Sequence, residues 1–135
     1  MITIPESKAK RQNISSGGAY ENVFGYSRAV AKNGQVHVSG TCAPASFEGR
    51  NAYEQAKAAL ETIASALAAA GAALGDVVRT VVYVRNIADA DQVAQAHLEI
   101  FASIRPASTL VQVTSMLRSW QLVEIEVYAL MERVS

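Results

Sequence analysis

Glu124 and Glu126 stand two apart in Val123-Glu124-Ile125-Glu126-Val127, so on an extended strand both carboxylates leave one face, about 7 Å apart. A carboxylate so placed can position or activate a water against a C=N carbon when burial tunes its basicity. The same spacing also fits an exposed or interface ion pair with Arg28, Arg79 or Arg118. Tyr26 could donate a hydrogen bond to a substrate oxygen or close a pocket, and could equally pack against a neighbour with its hydroxyl at the rim. The adjacent hydroxyls of Ser108 and Thr109 could bind an uncharged or small substrate group, or fill a strand. Arg105 and Arg118 are cations able to reach a cleft, or solvated surface charges. Cys42, just after Ser39-Gly40-Thr41, is a nucleophile if its pKa is lowered and otherwise a small buried hydrophobe.

Other chemistries find no residues to carry them. His97 has no second ligand-type residue at helical spacing and His37 alternates within a strand, so no metal site is expected and both histidines read as structural. There is no phosphate-loop glycine pattern, no dinucleotide fingerprint and no Ser-His-Asp arrangement. No cofactor is expected.

The elements that must position these residues follow from periodicity. Tyr26 to Lys32 and Gln35 to Thr41 flank Asn33-Gly34, the strongest short-range hairpin signal. Tyr53, Ala56, Leu60, Ile63 and Leu67 recur at helical spacing from Asn51 to Ala70, with Asn51 as cap, Glu54 completing a capping-box-like pattern and Gly71 as terminator. Val77 to Val84 is apolar on both faces, as a central strand is. Asp89, with Gln92 three residues on, is expected to cap a second helix carrying Val93, His97, Ile100 and Phe101, which ends before Pro106. Thr109 to Val113 and Gln121 to Met131 are the last strands, joined by a turn over Ser115 to Ser119.

The predicted order is ββαβαββ, an α+β arrangement with two helices on one face of a mixed sheet. In the last strand Val123, Ile125, Val127, Ala129 and Met131 point under the helices, and Leu122, Glu124, Glu126, Tyr128 and Leu130 point the other way. Nothing remains in the chain to cover that second face, so other copies of it are expected to, in a closed homo-oligomer.

The 135 residues form one expected domain, with residues 1–24 as a loose arm containing Ser15-Ser16-Gly17-Gly18. A lone cysteine implies no internal disulfide, and twelve basic residues balance twelve acidic ones, so the footprint of a nucleic-acid binder is missing. A charged, polar start and the lack of any membrane-spanning run point to a cytoplasmic location with no membrane partner.

Gly25-Tyr26-Ser27-Arg28-Ala29-Val30, Val36-His37-Val38-Ser39-Gly40-Thr41, Ala69 to Thr80, Arg105-Pro106-Ala107 and Val123-Glu124-Ile125-Glu126 together resemble the Rid (reactive intermediate deaminase, YjgF-like) family. The resemblance runs from about Gly25 to Ala129. It implies a chorismate-mutase-like fold, assembled as a homotrimer with small-molecule clefts between subunits. It also implies cofactor-independent hydrolysis of imines and enamines, for which 2-aminoacrylate is the archetypal substrate. In archetypal members an arginine in Pro-Ala-Arg-Ser clamps the substrate carboxylate. Here Pro106-Ala107-Ser108-Thr109 puts Ser108 in that place, while a pocket asparagine falls on Ala94 and a pocket cysteine on Leu110. Tyr26, the Gly40 backbone and Glu124 keep the family pattern. The resemblance is therefore to divergent subgroups without the arginine, with Glu124 and Tyr26 as catalytic candidates and Ser108, Thr109, Gly40, Arg105 and Cys42 as binding candidates. A non-catalytic small-molecule-binding trimer is the alternative.

Overall fold

In the computed structural model, which describes residue 3 and residues 10–132, Asn33 (φ 54°) and Gly34 (φ 76°) are both left-handed and turn the chain as a tight hairpin requires. Along the chain the elements are β1 (Arg11–Ile14), α1 (Ala19–Phe24), β2 (Ala29–Lys32), β3 (Gln35–Thr41), α2 (Ala52–Ala69), β4 (Val77–Val84), α3 (Ala90–Phe101), β5 (Ala107–Gln112) and β6 (Val123–Leu130). The expected ββαβαββ order is present from β2 to β6. Ahead of it, β1 pairs antiparallel with β2 and α1 follows, so this part of the expected loose arm is built structure. The rest of that arm, before residue 10 and apart from residue 3, lies outside the described residues.

Local chemistry explains where the helices start and stop. The Asn51 side chain accepts from the Glu54 N–H at 2.9 Å, while the Glu54 carboxylate turns outward to Arg50 at 2.7 Å instead of closing a box. At the other end Gly71 is left-handed (φ 83°) and the Ala72 N–H returns to the Leu67 carbonyl at 2.9 Å, which satisfies a carbonyl the helix leaves open. The expected Asp89 cap on α3 is not made. A short 3-10 turn, Ile87–Asp89, runs directly into α3 and leaves Asp89 in a helical conformation. The cap is therefore Asn86, which accepts from the Ala88 N–H at 2.9 Å, and Gln92 instead accepts from the Tyr53 N–H of α2 at 3.3 Å.

The strands form one mixed sheet in the order β1-β2-β3-β6-β4-β5, antiparallel throughout except for the parallel β4–β5 pair that α3 connects. β6 is bonded on both sides, to β3 and β4. Its residues Val123, Ile125, Val127 and Ala129 are buried beside Leu60, Ile63 and Leu67 of α2, while Glu124, Glu126 and Tyr128 emerge on the other face. Met131 packs on the same core as expected. Leu122, expected on the outer face, packs there too, because it precedes the strand and the Gln55 side chain of α2 accepts its N–H at 3.0 Å. Gln55 is fully buried and also donates to the Arg50 and Trp120 carbonyls, which ties the loop before β6 to α2.

Around α1, the Glu21 carboxylate collects the N–H groups of Ser16 and Gly18 and the Ser16 hydroxyl, at 2.8 to 3.1 Å. Burial pushes this carboxyl up, but those donors outweigh it and hold its pKa below the ordinary 4.5. A lowered carboxyl pKa stabilises the fold above its unfolded value, and that contribution is lost as pH falls through the folded value. Hydrogen exchange of the Ser16 and Gly18 amides is accordingly expected to quicken, relative to its intrinsic rate, between pH 6 and pH 3, and Glu21→Gln to remove most of that pH dependence.

Candidate functional site

A cleft of about 450 Å³ opens where the outer face of the sheet meets α1. Tyr20, Phe24 and Tyr26 make one wall, Leu117 from the loop before β6 another, and Ser39 and Gly40 the floor, with Glu124 and Glu126 at the polar end. The aromatic wall holds together through a stacked Tyr20–Phe24 pair and edge contacts of both rings with Tyr26. Phe24 remains 73% exposed and Val23 76%, so α1 presents apolar surface beside the opening.

Arg28 orders this floor from beneath. It is buried, and its guanidinium donates to the Gly40 carbonyl at 2.7 Å, to the Thr41 hydroxyl at 2.9 Å and to the Tyr26 hydroxyl at 2.8 Å. Because the Tyr26 oxygen accepts from Arg28, its own proton is free to be donated into the cleft. Glu124 lies directly over Gly40, where a Cβ would come within 2.6 Å of its Oε1. Only a glycine leaves that space. Among the described residues no hydrogen bond reaches the Glu124 carboxylate. Burial first, and then the charge of Glu126, push its carboxyl above the ordinary range, with Arg28 opposing.

Glu126 differs from its neighbour. The alternative of an ion pair with Arg28, Arg79 or Arg118 is not made within the chain; Glu126 accepts from the Tyr83 hydroxyl at 2.5 Å and from the Tyr128 hydroxyl. That acceptance, with burial second, pushes the Tyr83 hydroxyl up to about 12, and Tyr128 moves the same way. Glu126 is thus occupied and Glu124 is not. Cys42 is half-buried near this charge: burial, then Glu124, push its thiol up to about 12 against a weaker pull from Arg28, the opposite of an activated nucleophile.

The remaining predicted residues are not in this cleft. Ser108 and Thr109 point to opposite faces of β5, as neighbours in a strand must. Thr109 is on the outer face, where its hydroxyl accepts from Arg79 at 2.9 Å. Ser108 turns to the helix side, where it accepts from the Thr80 hydroxyl at 2.7 Å, and Thr80 in turn meets His97 Nε2 at 2.9 Å. These groups lie at a second pocket of about 440 Å³ that α3 closes, with Arg105 at its edge and Ala94 and Leu110 in its walls. Burial lowers the His97 pKa, which favours the neutral ring. Arg105 is exposed and left-handed (φ 53°) ahead of Pro106. Arg118 is exposed and lines neither pocket, its N–H held by Gln121 at 2.9 Å. Tyr26, Gly40 and Glu124 are therefore brought together, while Ser108, Arg105 and Thr109 are apart from them. Sequence reading missed the roles of Arg28, Tyr83 and Thr80; the period-two spacing of Tyr26 and Arg28 was the one signal pointing to the first.

Residues 18–131 match the model of the endoribonuclease L-PSP family. The chain belongs to the Rid/YjgF family. An uncharacterized protein of Streptomyces coelicolor is 40% identical over 129 residues, covering 91% of this chain and 93% of that one. A RutC family protein of Saccharolobus solfataricus is 34% identical over 108 residues, covering 77% and 85%. Among solved structures, Rv2704 of Mycobacterium tuberculosis, described as a member of the YjgF/YER057c/UK114 family, superposes with a TM-score of 0.85 at 40% identity over 90% of this chain and all of that one. The α+β mixed sheet described above is thus the Rid/YjgF fold, and Tyr26, Gly40 and Glu124 cluster in one cleft of it. No helix among the described residues is long and apolar enough to cross a membrane.

Two measurements check the electrostatics of this Rid/YjgF cleft. A raised carboxyl pKa means that folding favours the protonated Glu124: the fold carries no penalty below the unfolded pKa and a full one above the folded pKa. Glu124→Gln is therefore expected to raise Tm at pH 7 and to lose that advantage below pH 4. At pH 8 a thiol of pKa about 12 holds about a thousandfold less thiolate than one of pKa 9.0, so iodoacetamide should alkylate native Cys42 far more slowly than the urea-unfolded chain.

Proposed function

We propose that this protein is a cofactor-independent hydrolase of a small imine or enamine, with Glu124 as general base and Tyr26 orienting the substrate. The observation that carries the reading is the Glu124 carboxylate, raised in pKa, without a hydrogen-bond partner among the described residues and fitted over the bare Cα of Gly40 in the cleft that also holds the Tyr26 hydroxyl. An enamine first takes a proton on carbon and gives one up from nitrogen to become the imine. Water then adds to the C=N carbon as Glu124 accepts its proton. Glu124 returns that proton to the nitrogen to give the carbinolamine, which collapses as its hydroxyl proton passes to the nitrogen and the C–N bond breaks, releasing a carbonyl compound and ammonia. Tyr26, its oxygen already engaged by Arg28, donates to a substrate heteroatom.

The working form is a homotrimer in the cytoplasm with the clefts between subunits, so that the Glu124 cleft of one copy meets the Ser108 pocket of the next. Val78, Val111 and Leu130, each more than 40% exposed, support burial of further surface against other copies. The family label of endoribonuclease is not the favoured activity, because a chain of zero net charge offers no basic track for a phosphate backbone. A second reading, a non-catalytic small-molecule-binding trimer, is favoured by the residue in Pro106-Ala107-Ser108-Thr109, where the family resemblance leads one to expect a carboxylate-binding arginine and the chain has Ser108.

Ammonia release from imines generated in place by an amino-acid oxidase separates the two. Branched and aromatic imines should be hydrolysed faster than in buffer, and Glu124→Gln should lower that rate by about 10²-fold or more. Ser108→Arg should shift preference toward 2-aminoacrylate. Hydrolysis that survives Glu124→Gln unchanged would overturn the assignment, and ligand binding without any turnover would establish the binding trimer instead.

A further inference from the structure

The pocket between α3 and β5 has a composition unlike that of the Glu124 cleft. Val82, Val93, Leu98, Phe101, Pro106 and Leu110 give it apolar walls. Its polar groups are concentrated in one chain of contacts, Ser108 to Thr80 at 2.7 Å and Thr80 to His97 at 2.9 Å. Thr80 is fully buried, while His97 is half-buried and Ser108 is exposed at the pocket surface. With its single proton given to Ser108, Thr80 receives the His97 Nε2–H, and the Ser108 hydroxyl keeps its own proton for a ligand. Arg105, the cation that lines this pocket, is exposed, and its side chain has no hydrogen bond or ion pair among the described residues.

We infer that this pocket is a recognition site for the uncharged apolar side group of a substrate, branched-aliphatic or aromatic, with Ser108 hydrogen-bonding its single polar atom. The volume of about 440 Å³ and the apolar walls are those of a small-molecule site with a few convergent polar groups. A carboxylate at Ser108 would lose its hydration against these walls and meet a neutral hydroxyl there, because the Arg105 cation is exposed at the pocket's edge. An apolar group loses nothing there. The Thr80–His97 pair sets the direction in which Ser108 offers its proton, and is a positioning element for it. This deepens the proposed function by naming the substrate's side group, and its test needs no turnover.

The experiment is a methyl and histidine-ring NMR titration of the full-length protein with benzyl alcohol, isobutanol and benzoate. Benzyl alcohol and isobutanol should move the methyl signals of Val82, Val93, Leu98 and Leu110 and the His97 ring signals, with benzoate binding about tenfold more weakly or worse. Ala94→Trp, at an exposed position of α3 that lines the pocket, should abolish these shifts while the remaining methyl spectrum stays native. Benzoate binding as tightly as the alcohols and being lost in Arg105→Gln would overturn the inference in favour of an acid site. No response to any probe would overturn it outright. Neutral-probe binding in a protein that hydrolyses no imine would keep this inference and remove the proposed activity, and hydrolysis of imines without selective neutral binding would do the reverse.

Discussion

The position of β6 is the constraint on which the rest of the structure depends. It is hydrogen-bonded to β3 on one side and β4 on the other, and its alternate residues serve two unrelated purposes. Val123, Ile125, Val127 and Ala129 complete the core under α2, which obliges Glu124, Glu126 and Tyr128 to emerge opposite. A slip of one residue would bury two carboxylates and expose the core, so the hydrophobic effect that folds the sheet also sets the height and direction of Glu124. The irregular β3–β6 register between Val38 and Thr41 brings Gly40 beneath that carboxylate, and the absence of a Cβ leaves it the room.

Two equivalent-looking carboxylates end up chemically different because of what surrounds each. Glu126 is engaged by the tyrosines of β4 and β6, one hydroxyl on each of its carboxylate oxygens. Glu124 has the burial without the donors, which raises its pKa and costs the fold stability at neutral pH. Arg28 sits where it could have neutralised that charge, yet its donors go to the Gly40 carbonyl, Thr41 and Tyr26. The floor is thereby rigid while the base stays available. Such an uncompensated group in a cleft is what general-base chemistry requires.

The sheet also separates what chain position would join. Ser108 and Thr109 are adjacent in sequence and face opposite sides, one bonded to Thr80 and the other to Arg79. Ser108 shares its pocket with Ala94 and Leu110, so the lining around it is largely apolar, with Arg105 at the edge.

Much of this was legible in the residues alone. Asn33-Gly34 dictates its turn because both residues tolerate positive φ, Asn51 and Gly71 bound α2 through backbone groups a helix must leave open, and the alternation in β6 divides core from cleft. These are local or strictly periodic effects, and a sequence carries them whole. The α3 start was misplaced because Asn86 competes with Asp89 for the same role, and α1 with β1 was missed because their order comes from Glu21 gathering the Ser16 and Gly18 donors without a Ser, Thr, Asn or Asp cap, and from pairing to β2. The separation of the Glu124 cleft from the Ser108 pocket, the tyrosine clamp on Glu126 and the elevated thiol of Cys42 were decided only in three dimensions. Each depends on which strands become neighbours and how much water is left between them. A pKa or a pocket is a property of that surrounding space, while a turn or a cap is a property of the chain.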